Sequence, residues 1–189
     1  MNRMSLYLAM VFAVAGALTC VAGDSWREKL NQQLPLLGHR IWIVIADAAY
    51  PWQTAPGIET VATQADQITV VKAVLDALAK QRHVRPIIYT DAELKWVPET
   101  PAPGITAYRE ALTRILGERP VQSLPHDQII SKLDESGQKF HVLLLKTKLT
   151  LPYTSVFLQL DCGYWSVEAE RQLRQAIPAA APSKTSSGG

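Results

Sequence analysis

Residues 37–51 read LGHRIWIVIADAAYP and combine a strongly apolar stretch with a polar residue at each end. Six apolar residues, 41–46, follow one another without polar alternation, which is typical of a β-strand covered on both faces. His39 precedes this stretch and Asp47 ends it. A strand of that length spans about 20 Å, too far for the two side chains to touch if the segment is fully extended. Either the chain curls back at Asp47, or the two residues serve different parts of a site, as they would in neighbouring subunits.

The rest of the chain alternates between helical and strand patterns. Apolar residues at helical spacing and helix-start signals predict helices that begin at Ser25 and Pro125, with others over 67–80, 106–116 and 166–176. Short apolar runs predict further strands at 86–89, 121–124, 140–145 and 155–160. A loop with three prolines is predicted over 93–103. Strands that alternate with helices imply an α/β fold, a three-layer α/β/α sandwich with a mostly parallel or mixed sheet between two sets of helices.

The first 23 residues differ in character from the rest of the chain. Arg3 gives a short positive region, residues 6–18 are apolar but too few to span a bilayer comfortably, and residues 21–23 are small. This pattern predicts a signal peptide over residues 1–23 and a mature protein that is secreted or periplasmic, without stable membrane insertion. A retained anchor helix and lipidation at Cys20 are the alternatives.

Residues 24–177 are predicted to form one domain, and residues 178–189 are too poor in large apolar side chains to fold. The full chain carries a formal charge of +2, and loss of the predicted signal removes Arg3 and no acid, which leaves +1. A nearly neutral domain lacks the basic surface that nucleic acid requires. Nucleic acid is therefore excluded as a partner.

Cysteine and histidine usage argues against a metal centre. Only Cys162 remains after the predicted cleavage, which excludes an internal disulfide and a cysteine-rich zinc site. His83 follows a predicted helix, where a solvated cation is favoured, and His141 begins a buried strand as a hydrogen-bonded edge residue. His39 and His126 are better candidates for function, because each lies where a loop meets a regular element beside a sheet end.

Three blocks of residues, in this order, resemble the D-ribose pyranase and L-fucose mutarotase family, also called the RbsD/FucU transport protein family. The first is the Gly-His-strand-Asp-Ala-x-x-Pro block of residues 38–51, and the second is PHDQ at residues 125–128. The third, LPYTSVFL at residues 151–158, is similar to the family's Tyr-x-Asn motif, with Ser155 in place of the Asn. The resemblance extends over roughly residues 30–165 and implies an RbsD-like fold.

Members of that family interconvert cyclic forms of free monosaccharides, so the resemblance implies an isomerase of the mutarotase or pyranase type. This chemistry moves a proton from the anomeric hydroxyl and delivers one to the ring oxygen, and an imidazole near neutral pH can do both in turn without a cofactor. His39 is implied as the catalytic acid and base. The residues implied to hold the sugar hydroxyls are Asp47, His126, Tyr153, Thr154 and Ser155.

The resemblance also implies a homo-oligomer whose sites are shared between adjoining subunits. Trp52, Trp96 and Trp165 lie in predicted loops, where large aromatic side chains can anchor subunit contacts. Tryptophans that fill the core are the ordinary alternative. Two other functions stay open from the sequence: a non-catalytic exported carbohydrate-binding protein on the same fold, and an unrelated α/β protein.

Overall fold

The computed structural model describes residues 25–177, so the predicted signal peptide, Cys20 and the predicted tail lie outside the described residues. The helices are α1 (Ser25–Gln33), α2 (Gln67–Leu78), α3 (Ile105–Leu116), α4 (His126–Gly137) and α5 (Val167–Ala176). The strands are β1 (Trp42–Ala46), β2 (Ile58–Ala62), β3 (Val84–Asp91), β4 (Val121–Leu124), β5 (Val142–Lys146) and β6 (Val156–Cys162). Short 3₁₀ helices cover Leu34–Leu36 and Ala92–Trp96. Among residues 25–177, no helix is both long and apolar enough to cross a membrane.

The strands form one mixed sheet in the order β2-β5-β1-β6-β3-β4. β5 pairs in parallel with β1 and β2, and β3 pairs in parallel with β4. β6 lies antiparallel between β1 and β3. The other five strands therefore run in one direction and end at the same edge of the sheet, called the carboxyl edge below.

Both faces of the sheet are covered, which confirms the predicted three-layer α/β/α sandwich. Ile43 and Ile45 of β1 pack in a core with apolar side chains of α1, α2 and α3. Trp42 and Val44, which alternate with them, pack on the other face, where Ile129 of α4 is fully buried. Every residue of β1 is buried because its neighbours in the sheet and both helix layers enclose it.

The structure differs from the sequence prediction at the edges of the sheet. β2 was not predicted, because its five residues, IETVA, mix polar and apolar side chains in an edge strand where the first four are half-buried and the last is exposed. β3 extends beyond the predicted residues 86–89 on both sides, to Val84 and Asp91. A 3₁₀ helix, Ala92–Trp96, covers the first residues of the stretch 93–103 that was predicted to be a loop.

The prediction that His83 is solvated is wrong. Its Nε2 lies 3.2 Å from the carbonyl oxygen of Leu34 and 3.0 Å from that of Leu37, and the side chain is half-buried. Carbonyl groups at the end of a helix lack partners within it, so a neighbouring N–H donor satisfies them. His141 behaves as predicted, since its Nε2 lies 3.3 Å from Gln33 Oε1.

Gly57 lies where the chain entering β2 meets the end of α4. A Cβ added there would lie 2.3 Å from the carbonyl oxygen of Gly137 and 2.4 Å from that of Phe140. Both oxygens belong to the backbone and cannot rotate away. We expect Gly57→Ala to lower the free energy of unfolding by about 1–3 kcal/mol, as measured by chemical denaturation.

The matched control is Gly38→Ala, because no atom lies within 4 Å of its added Cβ. Its unfolding free energy should stay within about 0.5 kcal/mol of the parent. If Gly57→Ala is as stable as this control, the close approach of the two backbones is not a constraint on the fold.

Candidate active site

The carboxyl edge brings together polar side chains from distant parts of the chain. Asp47 follows β1, Asp91 ends β3, His126 begins α4 directly after β4, and Ser155 precedes the antiparallel β6. Crevices outside the carboxyl ends of parallel strands are where open α/β sheets bind ligands. Of the residues predicted to hold a ligand, Asp47, His126, Tyr153 and Ser155 all lie on this edge.

Asp47 is held by the segment before β6. Ser155 Oγ donates to Asp47 Oδ2 at 3.2 Å, and the backbone N–H of Ala49 donates to Oδ1 at 2.8 Å. Ser155 is buried, with 2% of its surface exposed, whereas Asp47 is half-buried. A serine hydroxyl at this position therefore fixes the direction of the carboxylate, whose oxygens can accept further hydrogen bonds.

His126 is held by two acids that the sequence analysis did not single out. Its Nδ1 lies 3.0 Å from Oδ1 of Asp91, a side chain with no exposed surface, whereas the imidazole is 34% exposed. Both carboxylate oxygens of Glu93 lie 3.1 Å from the backbone nitrogen of His126, which donates to them. Asp91 ends an apolar strand just as Asp47 does, so the same strand-then-carboxylate pattern could have identified it.

Asp91 is a carboxyl group in an unfavourable environment. Burial raises its pKa to about 6, and the nearby carboxylates of Glu93 and Asp47 act in the same direction, while the hydrogen bond to His126 opposes them. Its second oxygen, Oδ2, has no hydrogen-bond partner within residues 25–177. A buried carboxylate with one unpaired oxygen destabilises the fold, so its position calls for a functional explanation.

The turn before β6 presents Tyr153 to His126. The two rings meet edge to face, with centroids 5.7 Å apart and an interplanar angle of 83°. Tyr153 has a φ of 57°, which is uncommon for a residue with a side chain, and is 41% exposed. Strained residues of this kind persist only where their surroundings hold them, and they concentrate at functional sites.

Thr154 supports this turn from inside the protein. It is fully buried, and its hydroxyl donates to the carbonyl oxygen of Leu151 at 2.8 Å. Its own carbonyl oxygen accepts from the Tyr108 hydroxyl at 2.6 Å and also from the Gln67 side-chain amide. Although the resemblance placed Thr154 among the sugar-holding residues, its side chain supports the turn and is not exposed at the edge.

Gln67 and Tyr108 form a buried polar network behind the turn. Gln67 has no exposed surface; its Nε2 lies 3.0 Å from the Tyr108 hydroxyl, and its Oε1 accepts from Thr147 at 2.9 Å. Burial raises the pKa of Tyr108, which keeps its hydroxyl protonated as a donor. Sequence reasoning missed both residues, because each lies on the apolar side of an amphipathic helix and forms its contacts across the fold.

Tyr50 adds a second buried hydroxyl close to the edge. Its side-chain oxygen has no partner within the described part of the chain, and burial together with Asp134, Asp91 and Asp47 raises its pKa. Its carbonyl oxygen accepts from the Lys146 ammonium at 2.7 Å. The Tyr50 hydroxyl therefore stays protonated beside these aspartates.

No group of three or more histidine, cysteine or acidic side chains within residues 25–177 is arranged to hold a metal ion.

His39 lies at the opposite end of β1 from Asp47. Arg40, Ile41 and the five residues of β1 lie between them, and the strand alone spans about 17 Å, so the chain does not curl back to join them. His39 is exposed and borders a cavity of about 520 Å³ with Trp165 and Glu170 beside α5. In the same cavity Arg85 Nη2 lies 2.7 Å from Asp161 Oδ2, and this contact lowers the pKa of Asp161.

The raised pKa of Asp91 gives a test by stability. The pKa of Asp91 is about 6 in the folded protein and lower, near the ordinary value of aspartate, in the unfolded chain. As pH rises from the lower pKa to above the higher one, Asp91 ionises in its buried site and the folded protein loses stability. Asp91→Asn removes that charge. We expect the stability of the variant relative to the parent to rise by roughly 1–2 kcal/mol between about pH 4 and about pH 7.5.

Urea denaturation at both pH values provides the measurement, and Asp127→Asn is the matched control because it removes an exposed acid one residue from His126. The control should show no such trend. A difference between Asp91→Asn and the parent that falls as pH rises would show that ionised Asp91 stabilises the fold.

Comparison with known proteins places this arrangement in a family. The family model for the RbsD / FucU transport protein family matches residues 26–162, from α1 to the end of β6. No curated protein matches the chain. The structure of Bacillus subtilis RbsD complexed with D-ribose is similar, with a TM-score of 0.50 and 21% identity over 69% of this chain and 89% of that chain.

A second similar structure is the fucose mutarotase from Streptococcus pneumoniae in complex with L-fucose. Its TM-score is 0.47, with 16% identity over 74% of this chain and 93% of that chain. At these identities the structural likeness concerns the fold. The family model covers most of the described residues and leaves out α5. The chain therefore belongs to the RbsD / FucU transport protein family.

Proposed function

We propose that this protein interconverts cyclic forms of a free monosaccharide, either pyranose with furanose or one anomer with the other. The chain belongs to the RbsD / FucU transport protein family, and the structures similar to it include RbsD solved with D-ribose and a fucose mutarotase solved with L-fucose. The observation that carries the proposal is the carboxyl edge, where Asp47, His126 and Tyr153 are each held by another residue. Oriented donors and acceptors of this kind suit a neutral ligand rich in hydroxyl groups.

The reaction opens the ring at the anomeric carbon. A base takes the proton from the anomeric hydroxyl, whose oxygen then forms a double bond to that carbon. The bond from the carbon to the ring oxygen breaks, and the ring oxygen keeps the electron pair and accepts a proton from an acid. Closure by a different hydroxyl, or on the other face of the carbonyl, reverses these steps and gives the new ring or anomer.

His39 is the proposed acid and base, and the carboxyl edge holds the sugar. His39 is exposed at a turn, so a ligand can reach its ring nitrogens. The Asp47 carboxylate, oriented by Ser155, accepts hydrogen bonds from sugar hydroxyls. Tyr153 offers an exposed ring and hydroxyl beside His126. General acid-base catalysis by one positioned group contributes roughly a hundred- to ten-thousand-fold.

A site that uses both His39 and Asp47 requires two copies of the chain. Because β1 separates the two residues within one chain, His39 of one copy must approach the carboxyl edge of another copy. Exposed tryptophans support this arrangement. Trp52, after Asp47, is 83% exposed and Trp96, after β3, is 75% exposed, while Trp165 borders the His39 cavity.

Mixed oligomers test the shared site. His39→Gln and His126→Gln should each lose most of the ring exchange when it is measured by NMR below the KM for the sugar. If the two variants are mixed equally and allowed to exchange subunits, about a quarter of the sites receive an intact His39 and an intact His126 from neighbouring copies. We therefore expect the mixture to recover about a quarter of the parental rate.

Each variant alone, taken through the same subunit exchange, is the control and should stay inactive. Light scattering before and after mixing establishes that oligomers are present. A mixture that is no more active than its components, although subunits have exchanged, would place the complete site within one chain.

A further inference from the structure

We propose that His126 is a second proton-transfer group in ring opening, and that buried Asp91 positions it for this role. The inference rests on the proposed function and goes beyond it. In that function His126 only holds a sugar hydroxyl, a task that an exposed side chain performs without a buried carboxylate behind it.

The first support is the direction of the imidazole. Nδ1 faces Asp91 Oδ1 at 3.0 Å, and Asp91 is an acceptor when ionised. In neutral His126 the proton therefore lies on Nδ1, and Nε2 carries a free lone pair. Nε2 has no hydrogen-bond partner in the part of the chain that the structure describes, and the side chain is 34% exposed, so Nε2 is open to a ligand.

The second support is that the residue is held at several points. Glu93 fixes the backbone nitrogen of His126 through both of its carboxylate oxygens. Tyr153 packs against the ring at 83°. A histidine that reaches a hydroxyl from the surface needs no such support, whereas proton transfer depends on a ring held close to one geometry.

The third support comes from the chemistry of the reaction. The anomeric oxygen loses a proton and the ring oxygen gains one, and both oxygens are bonded to the same carbon. A single imidazole must serve the two oxygens in sequence, with a charged sugar in between. Two imidazoles serve them together: neutral His126 takes the proton from the anomeric hydroxyl through Nε2, while protonated His39 of the neighbouring copy gives one to the ring oxygen. Ring closure returns both protons.

Asp91 acts through His126 and is therefore a positioning residue. Its carboxylate favours the Nδ1–H tautomer and stabilises the positive charge that His126 acquires when it takes a proton. Asparagine in its place keeps an acceptor oxygen and loses the charge. Leucine, which has a similar shape, loses both. The two substitutions therefore separate the choice of tautomer from the stabilisation of charge.

The first measurement is the ¹⁵N NMR spectrum of histidine-labelled protein at about pH 8, where imidazole is neutral. We expect His126 to be the Nδ1–H tautomer in the parent and in Asp91→Asn, and to shift to Nε2–H in Asp91→Leu. His141, whose Nε2 lies 3.3 Å from Gln33 Oε1 and 3.7 Å from Glu59 Oε2, does not contact Asp91 and is an internal control that should not change. An Nε2–H tautomer in the parent would overturn the positioning role. So would an Nδ1–H tautomer that persists in Asp91→Leu.

The second measurement separates kcat from KM in ring exchange. Asp91→Asn should lower kcat by roughly tenfold and Asp91→Leu by roughly a hundredfold, with KM changed by less than about twofold. Asp127→Asn should leave both constants unchanged. A raised KM with an unchanged kcat would show that His126 only holds the sugar. If the parent catalyses no exchange, the proposed function and the proton transfer both fail, while the tautomer still decides the positioning role.

Discussion

The burial of β1 on both faces is the constraint on which the rest of the structure depends. Its five residues pair with β5 on one side and β6 on the other, and helices cover them above and below. Pairing on both sides keeps the strand extended, so the chain at its two ends is about 17 Å apart. Separation of His39 from Asp47 is thus a property of the core, and any site that needs both must form between copies.

The carboxyl edge concentrates features that stability alone would disfavour. Asp91 is ionisable and buried, the Tyr50 hydroxyl has no partner within residues 25–177, and Tyr153 has a left-handed backbone conformation. Each unpaired buried polar group costs on the order of 1–3 kcal/mol. The network of Gln67 and Tyr108 offsets part of this by fixing the turn from behind. The edge is therefore held in shape by the core at some expense of stability, as functional sites commonly are.

The sequence predicts the elements whose pattern is local. β1 is recognisable from its continuous apolar run, α2 and α3 from helical spacing, and the α5 cap from Ser166, whose Oγ accepts from the backbone N–H of Ala169. β2 escapes prediction because its burial comes from pairing with a strand more than eighty residues later. Contacts across the fold, such as that between Asp91 and His126, leave no local pattern. Motif blocks located His126, and a strand followed by a carboxylate could have indicated Asp91, but only the structure shows that the two side chains pair.

His83 and His39 also show that local sequence patterns do not reveal which side chains already have hydrogen-bond partners. His83 follows a helix, and local reasoning assigned it to solvent, yet it closes the end of the 3₁₀ helix Leu34–Leu36. His39, by contrast, does not close the end of a helix. It lies in an exposed turn beside α5, a position that fits a residue that contacts a ligand or a neighbouring copy. The order of residues along the chain indicates which side chains lie at junctions. Only packing decides which of them are already satisfied.

The function proposed for this protein is the opening and closing of the ring of a free sugar that is held at the carboxyl edge. Saturation-transfer NMR on a panel of free pentoses and hexoses, with the purified protein, is the decisive experiment. At least one sugar should show exchange between anomeric or ring-size signals faster than the uncatalysed background. Line broadening without exchange for every sugar on the panel would rule out ring opening and identify a protein that binds sugars without converting them.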